Sequence, residues 1–149
     1  MFFLTELLWV LCSMVREIVR DESFLSLPSL NCDFPCFSLY SDLKDTLESK
    51  KDFCIGIAAN MIGERKRAMA VIIEGRVKVM FNPVILSGSG EYEAEEGCLS
   101  LEGKRKARRY ETIELLYSDY KGREKVSLFS SVEAEAIQHE MDHMDGILI

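Results

Sequence analysis

The hexapeptide Gln-His-Glu-Met-Asp-His occupies residues 138–143, close to the end of this 149-residue chain. Its histidines, His139 and His143, are the only two in the protein, and they lie four positions apart. On a helix, residues at that spacing lie one above the other on the same face, so both imidazoles can bind one metal ion. Glu140 follows His139 directly and can stand beside a water molecule on that ion. The hexapeptide therefore predicts a hydrolytic metal site on a helix, with Glu140 as general base.

A metal site needs a third ligand, because the His-Glu-x-x-His pattern also arises by chance. The alternative is that the two histidines only pack or cap a helix. Downstream, Asp145 lies two positions beyond His143, so on a continuing helix it points to a different face. The third ligand is therefore expected upstream, where the chain has five cysteines. Cys98 stands out, because it lies within the stretch Glu-Glu-Gly-Cys-Leu-Ser at residues 95–100.

Three stretches give the chain a resemblance to the peptide deformylases. The family motif Q-H-E-x-D-H is matched in full at residues 138–143, and the motif E-G-C-L-S is matched in full at residues 96–100. The motif G-φ-G-φ-A-A-x-Q is matched in part by Cys-Ile-Gly-Ile-Ala-Ala-Asn-Met at residues 54–61. The two departures are Cys54 in place of the first Gly and Met61 in place of Gln. The resemblance extends over roughly residues 14–149.

The resemblance implies hydrolysis of the N-formyl group from the formyl-methionyl end of a newly made polypeptide, with release of formate. It implies Cys98, His139 and His143 as metal ligands, with Fe(II) as the natural ion and Zn(II) as a common substitute. Thiolate and imidazole ligands equally suit Ni(II) and Co(II). The family stabilises the oxyanion with the metal, the backbone N–H of Leu99 and the motif Gln. Because the thioether of Met61 cannot donate a hydrogen bond, we expect a slow enzyme.

The same resemblance implies which residues contact the substrate. Ile55 and Gly56 would line the peptide groove, where Gly56 permits close approach of the backbone. Ala136 would face the methionine pocket, and Asp142 is expected to hold a neighbouring strand or loop. The expected catalytic residues are Glu140, Leu99 and Gly56, and the expected substrate-binding residues are Ile55, Gly56, Met61, Leu99 and Ala136.

Two other functions remain open from the sequence. One is another small metalloamidase or peptidase that uses the same three ligands. The other is a metal-binding deformylase homologue without turnover, kept for binding. Hydrolysis of acetylated as well as formylated peptides would favour the first, and a bound metal without hydrolysis of any blocked peptide would favour the second.

Composition restricts the partners and the location. The apolar content of 48% with 29% charged residues is typical of a globular protein. The net charge of -7 argues against nonspecific binding to nucleic acid, so no DNA partner is expected. Five cysteines without a clear secretory signal predict reduced thiols in the cytoplasm. Transient contact with the ribosome is compatible with a nascent-chain substrate, and stable membrane insertion is not expected.

The expected organisation is an apolar N-terminal extension at residues 1–13 followed by a single deformylase-like domain at residues 14–149. We interpret the extension as an extra helix or a misassigned start, with a weak membrane or dimer contact as the alternative. Apolar periodicity predicts a helix at 38–52 and strands at 67–73, 77–84, 111–117 and 125–129. A turn is expected at Glu-Gly-Arg, residues 74–76, between the first two strands, and a loop is expected at 87–90.

Two further features complete the expected fold. The basic run at residues 104–109 is expected at a solvated loop or strand edge, with a docking patch for RNA or a substrate carboxylate as the alternative. Ser130 and Glu133 form a capping-box pattern for the last helix, which should run to about Asp145 before Gly146 stops it. The predicted class is α+β, with antiparallel sheets packed around a C-terminal metal-binding helix.

Overall fold

The computed structural model describes residues 14–149, so the prediction for the apolar stretch 1–13 lies outside the described residues. Within that part, the helices are α1 (Glu22–Leu25), α2 (Phe37–Lys50) and α3 (Ser131–Met144), with a 3-10 turn at Ala59–Ile62. The strands are β1 (Gly56–Ala58), β2 (Ala68–Ile73), β3 (Arg76–Gly97), β4 (Lys104–Ser118) and β5 (Glu124–Ser130). The predicted α+β class with a C-terminal helix is confirmed.

The strands form one five-stranded sheet in the order β1-β2-β3-β4-β5, and every neighbouring pair is antiparallel. The predicted turn between β2 and β3 is confirmed at Glu74 and Gly75, both of which have positive φ angles. Positive φ at both central residues suits the twist of a tight hairpin. Since consecutive strands are neighbours in space, the topology is a simple meander.

The sheet has a buried core on each face because side chains alternate along a strand. Val79 and Phe81 face the cluster that contains Leu43 and Leu47 of α2, whereas Met80 between them faces the cluster beneath α3. The predicted helix at 38–52 is therefore confirmed as α2, with its ends shifted by one or two residues. The two helices lie on opposite faces of the sheet.

The predicted loop at residues 87–90 is wrong, because β3 continues through it. A Cβ atom at Gly88 would lie 2.6 Å from ring atoms of Tyr110 on the paired strand. Glycine is required there for packing against an aromatic ring, and this cross-strand contact cannot be read from the Ser-Gly-Ser-Gly pattern.

The long β3 pairs its acidic end with the basic run of β4, where Glu93 lies opposite Arg108. That run is a strand edge, as expected, since β5 pairs with β4 only from Thr112 onward.

Helix α3 begins without the predicted capping box. The side chain of Ser130 makes no cap hydrogen bond, and the carboxylate of Glu133 instead accepts a hydrogen bond from the backbone N–H of Glu74 at 2.9 Å. The predicted end is confirmed, since the helix closes at Met144 and Gly146 has a φ of 76°. A Cβ at Gly146 would also collide with the backbone carbonyl oxygen of Ser26. The last turn of α3, which carries His143, is thereby fixed against the loop after α1.

Candidate metal centre

Three side chains converge where the end of β3 meets α3. The Sγ of Cys98 lies 3.3 Å from Nε2 of His143, which lies 3.2 Å from Nε2 of His139. All three ligand atoms lie within 4.8 Å of one another. The histidines come together through helical spacing, and Cys98 reaches them because it directly follows β3. The structure thus brings the three predicted ligands into one cluster.

The chemistry of this donor set fits a transition-metal ion. Nδ1 of His139 lies 2.8 Å from a carboxylate oxygen of Glu96, so the ring proton is held there. When the imidazole is neutral, this arrangement leaves a lone pair on Nε2, which lies beside the imidazole of His143. A ligand histidine typically donates its other N–H to such an outer partner. One thiolate and two imidazoles leave a fourth position open, as in catalytic zinc sites.

A buried ion network holds the ligands from behind. Arg109, only 4% exposed, donates to both carboxylate oxygens of Glu96 at 2.6 and 3.0 Å and to Asp142 at 2.7 Å. Burial alone would raise the pKa of Glu96, but hydrogen bonds from His139 and Arg109 lower it to about 2. Glu96 is therefore an anion that orients His139. Asp142 holds strand β4 through Arg109, which agrees with its predicted supporting role.

Glu140 stands beside the cluster with an unusual carboxyl group. Its side chain is almost fully buried, and its Oε2 atom has no hydrogen-bond partner within the described residues. Burial raises the pKa of Glu140 to about 7. A Cβ at Gly56 would lie 3.2 Å from Cγ of Glu140, so glycine lets β1 approach this carboxyl closely. A general base whose pKa is near the working pH is well matched to proton transfer.

A cleft of about 470 Å³ opens beside these groups. It is lined by the predicted substrate residues Ile55, Gly56, Met61, Leu99 and Ala136, together with Cys98, His139 and Glu140. His143 is fully buried behind them. The backbone N–H of Leu99 has no acceptor in the part of the chain that the structure describes. All the site residues predicted from the sequence therefore belong to this cleft or to the wall behind it.

Sequence reasoning missed some residues around the cleft. Glu135 lines it one helical turn before His139, and that spacing could have identified it. Phe53 also lines the cleft, but a single apolar residue before the Gly-Ala run gives no signal. Arg109 could not be found from the sequence, since its partners lie 13 and 33 positions away in the chain.

The segment after β1 places Met61 and its neighbour differently from expectation. Met61 is buried, and its sulfur accepts a hydrogen bond from the backbone N–H of Ala58 at 3.3 Å. Asn60 does not lie in an extended segment, because residues 59–62 form a 3-10 turn. Its side-chain amide donates to the backbone carbonyl of His143 at 2.8 Å. The side-chain amide of Asn60 is therefore already bonded to α3, and it does not supply the hydrogen-bond donor that Met61 lacks.

A cysteine and two histidines beside a buried carboxyl group, on an α+β meander, match the side chains of a mononuclear metallohydrolase centre. The family model described as polypeptide deformylase matches residues 25–149, and the chain belongs to that family. No helix among the described residues is both long and apolar enough to cross a membrane.

Curated relatives and solved structures agree with this assignment. A peptide deformylase of Clostridium beijerinckii is 44% identical over 136 residues, which cover 91% of this chain and all of that protein. A peptide deformylase of Dictyoglomus thermophilum is 39% identical, with 71% of each chain covered. The structure of a class I type b peptide deformylase from Acinetobacter baumannii with Met-Ala-Ser bound superposes with a TM-score of 0.81. That comparison has 28% identity and covers 91% of this chain and 96% of the neighbour.

Proposed function

We propose that this protein hydrolyses the N-formyl group of newly made polypeptides at the cleft beside Cys98, His139 and His143. The observation that carries this proposal is the meeting of three ligand atoms, a buried carboxyl group and an open strand edge in one cleft. The polypeptide deformylases, to which the chain belongs, are hydrolases that act on this formyl amide. Glu140, Leu99 and Gly56 are the proposed catalytic residues.

The peptide is proposed to bind as an added strand. β1 pairs only with β2 among the described strands, so the opposite edge of Ile55 and Gly56 is open toward the cleft. An extended peptide can use such an edge for main-chain hydrogen bonds. Leu99 closes the cleft on the other side, and Ala136 on α3 faces the first side chain of the substrate. In this proposed arrangement the formyl group lies over the ligand cluster.

The metal is proposed to be Fe(II), with Zn(II), Ni(II) or Co(II) as substitutes that the same ligands tolerate. When bound, such an ion supplies Lewis acidity, which polarises a carbonyl group and lowers the pKa of water. The contribution of the protein is to hold Cys98, His139 and His143 in place and to keep the His139 tautomer fixed through Glu96.

Glu140 is proposed to accept the proton of the attacking water and to pass it to the leaving amine. Its Oε2 atom, which has no hydrogen-bond partner in the described part of the chain, is available for that transfer. The N–H of Leu99 donates to the developing oxyanion, whereas Met61 has no proton to donate. Because one donor of the family arrangement is missing, the proposed enzyme is a slow one.

Formate release from formyl-Met-Ala-Ser by protein loaded anaerobically with Fe(II) tests this function. We expect turnover of this peptide and none of acetyl-Met-Ala-Ser. Equal hydrolysis of both peptides would favour another metalloamidase. Metal binding without any hydrolysis would favour a homologue kept for binding. This is the second candidate function, because Met61 lacks the hydrogen-bond donor of the family motif.

A cytoplasmic location is proposed along with transient contact with the ribosome, where formylated chains emerge. The four described cysteines are free thiols, which suits a reducing compartment. Residues 14–149 are proposed to act as a single deformylase domain.

A further inference from the structure

Glu135 places a carboxyl group in the cleft wall next to Ala136, which is proposed to face the first side chain of the substrate. It lines the cleft beside Ala136 and Val132, on the same stripe of α3 as His139. A rise of about 1.5 Å per residue puts it roughly 6 Å along the helix from His139. That separation matches the reach of an unbranched side chain of four or five atoms. A substrate side chain that starts near the ligand cluster can therefore end at Glu135.

The surroundings of Glu135 favour a positive group. The cleft is lined by four glutamates and by no lysine or arginine of the described residues; the glutamates are Glu95, Glu96, Glu135 and Glu140. Glu96 has Arg109 as its cation, but Glu135 forms no ion pair within the described part of the chain. Burial and the neighbouring Glu96 carboxylate raise the pKa of Glu135.

The carboxyl group is also held in place. Tyr92 donates its hydroxyl to Oε1 of Glu135 at 3.2 Å and approaches it from β3, outside the cleft lining. This hydrogen bond orients Glu135 from behind, and within the described residues the carboxyl group otherwise interacts with Glu96 and forms no ion pair with a cation. A fixed carboxyl group in a cleft whose lining has no lysine or arginine of the described residues is a recognition element for a hydrogen-bond donor.

We propose that Glu135 determines specificity at this pocket, by admitting an unbranched cationic side chain such as lysine as the first residue of the substrate, in addition to methionine. The proposal rests on the proposed function, because the cleft must hold the first residue of a peptide. A charge-assisted hydrogen bond to such a cation changes affinity by roughly 10- to 100-fold.

Binding separates this inference from the question of turnover. Titration calorimetry with the product peptides Lys-Ala-Ser and Met-Ala-Ser on the Ni(II)-loaded protein gives an affinity ratio that requires no hydrolysis. Glu135→Gln should lower the Lys/Met ratio at least about tenfold. Glu133→Gln is the matched control, because it removes one charge from the same helix outside the cleft, and it should change the ratio less than about twofold.

Kinetics gives the second readout. The kcat/KM of formyl-Lys-Ala-Ser relative to formyl-norleucyl-Ala-Ser should fall in Glu135→Gln, and Glu135→Leu should favour the norleucyl peptide further. If Glu135→Gln leaves both ratios within about twofold, or if Glu133→Gln shifts them equally, the proposal is overturned. If no peptide is hydrolysed, the proposed function fails, and the calorimetric ratio still decides the role of Glu135.

Discussion

Replacing Met61 by Gln should accelerate the enzyme, because it restores a hydrogen-bond donor at the oxyanion. Met61 lines the cleft, and its sulfur accepts the N–H of Ala58 at 3.3 Å. A glutamine has nearly the same length, and its carbonyl oxygen can take over this hydrogen bond. Its amide N–H groups then remain free to face the cleft. The substitution therefore adds a donor without removing the contact that fixes the 3-10 turn.

The magnitude follows from the donors that are present. The N–H of Leu99 is the proposed protein donor, since the side-chain amide of Asn60 is bonded to the backbone carbonyl of His143. Losing one oxyanion donor typically costs about 2.7–4 kcal/mol, or roughly 10²–10³ in rate. Some of that gain is lost if the new amide is not ideally placed. We therefore expect Met61→Gln to raise kcat/KM at least about tenfold, mainly through kcat.

The assay is formate release from one formyl-methionyl peptide, with the same Fe(II) loading measured for each protein. Met61→Leu is the matched control, because it keeps an apolar side chain of similar size but accepts no hydrogen bond. It should remain slow and lose a fraction of a kcal/mol to about 1.5 kcal/mol of stability with the Ala58 contact. Rapid turnover by the parent, or equal acceleration by Leu and Gln, would refute the reasoning.

Three further outcomes test the site and its support. Glu140→Ala should keep its metal, by elemental analysis, but lose about 10²–10⁴ of the hydrolysis rate; activity within about twofold of the parent would remove Glu140 as general base. Cys98→Ala and His143→Ala should each lose bound metal, and full occupancy in either variant would exclude that residue as a ligand. Arg109→Met should lower the free energy of unfolding by about 3–5 kcal/mol in denaturant titrations, because Glu96 would stay buried without its cation; a loss below about 1 kcal/mol would show that Glu96 is otherwise compensated.

Local patterns in the sequence predicted the elements whose signals are local. The spacing of His139 and His143 placed the last helix, and the Glu-Gly-Arg stretch at 74–76 placed a hairpin turn that the structure confirms. Gly88 misled the prediction, because a glycine that accommodates the ring of Tyr110 reads in the sequence like a glycine in a loop. The capping box failed for a similar reason, since Glu133 is bound to Glu74 on a distant hairpin.

The candidate site shows the same division. Cys98 could be assigned to the same site as the two histidines only through its motif. It lies 45 positions before His143 in the sequence, and only the fold brings the two side chains together. Arg109 could not be predicted at all. It lies within a basic run that suggests a solvated edge, yet it is the one residue of that run whose side chain is buried between β3 and α3. Long-range charge pairing of this kind leaves no periodic trace in a sequence.

Metal binding and oxyanion stabilisation are proposed to depend on different parts of the cleft. The altered motif at residues 54–61 therefore need not abolish hydrolysis. The three candidate ligands lie at the end of β3 and on α3, whereas Met61, on the proposed oxyanion side, belongs to the 3-10 turn at Ala59–Ile62. Within that turn, Asn60 still supports the backbone of His143, so replacement of Gln at position 61 leaves the metal side intact. Glu140 has a buried carboxyl oxygen without a hydrogen-bond partner among residues 14–149, and such an unsatisfied group typically costs about 1–3 kcal/mol of stability. A protein kept only for metal binding gains nothing from that cost. The retained Glu140 therefore favours a slow hydrolase over a binding homologue.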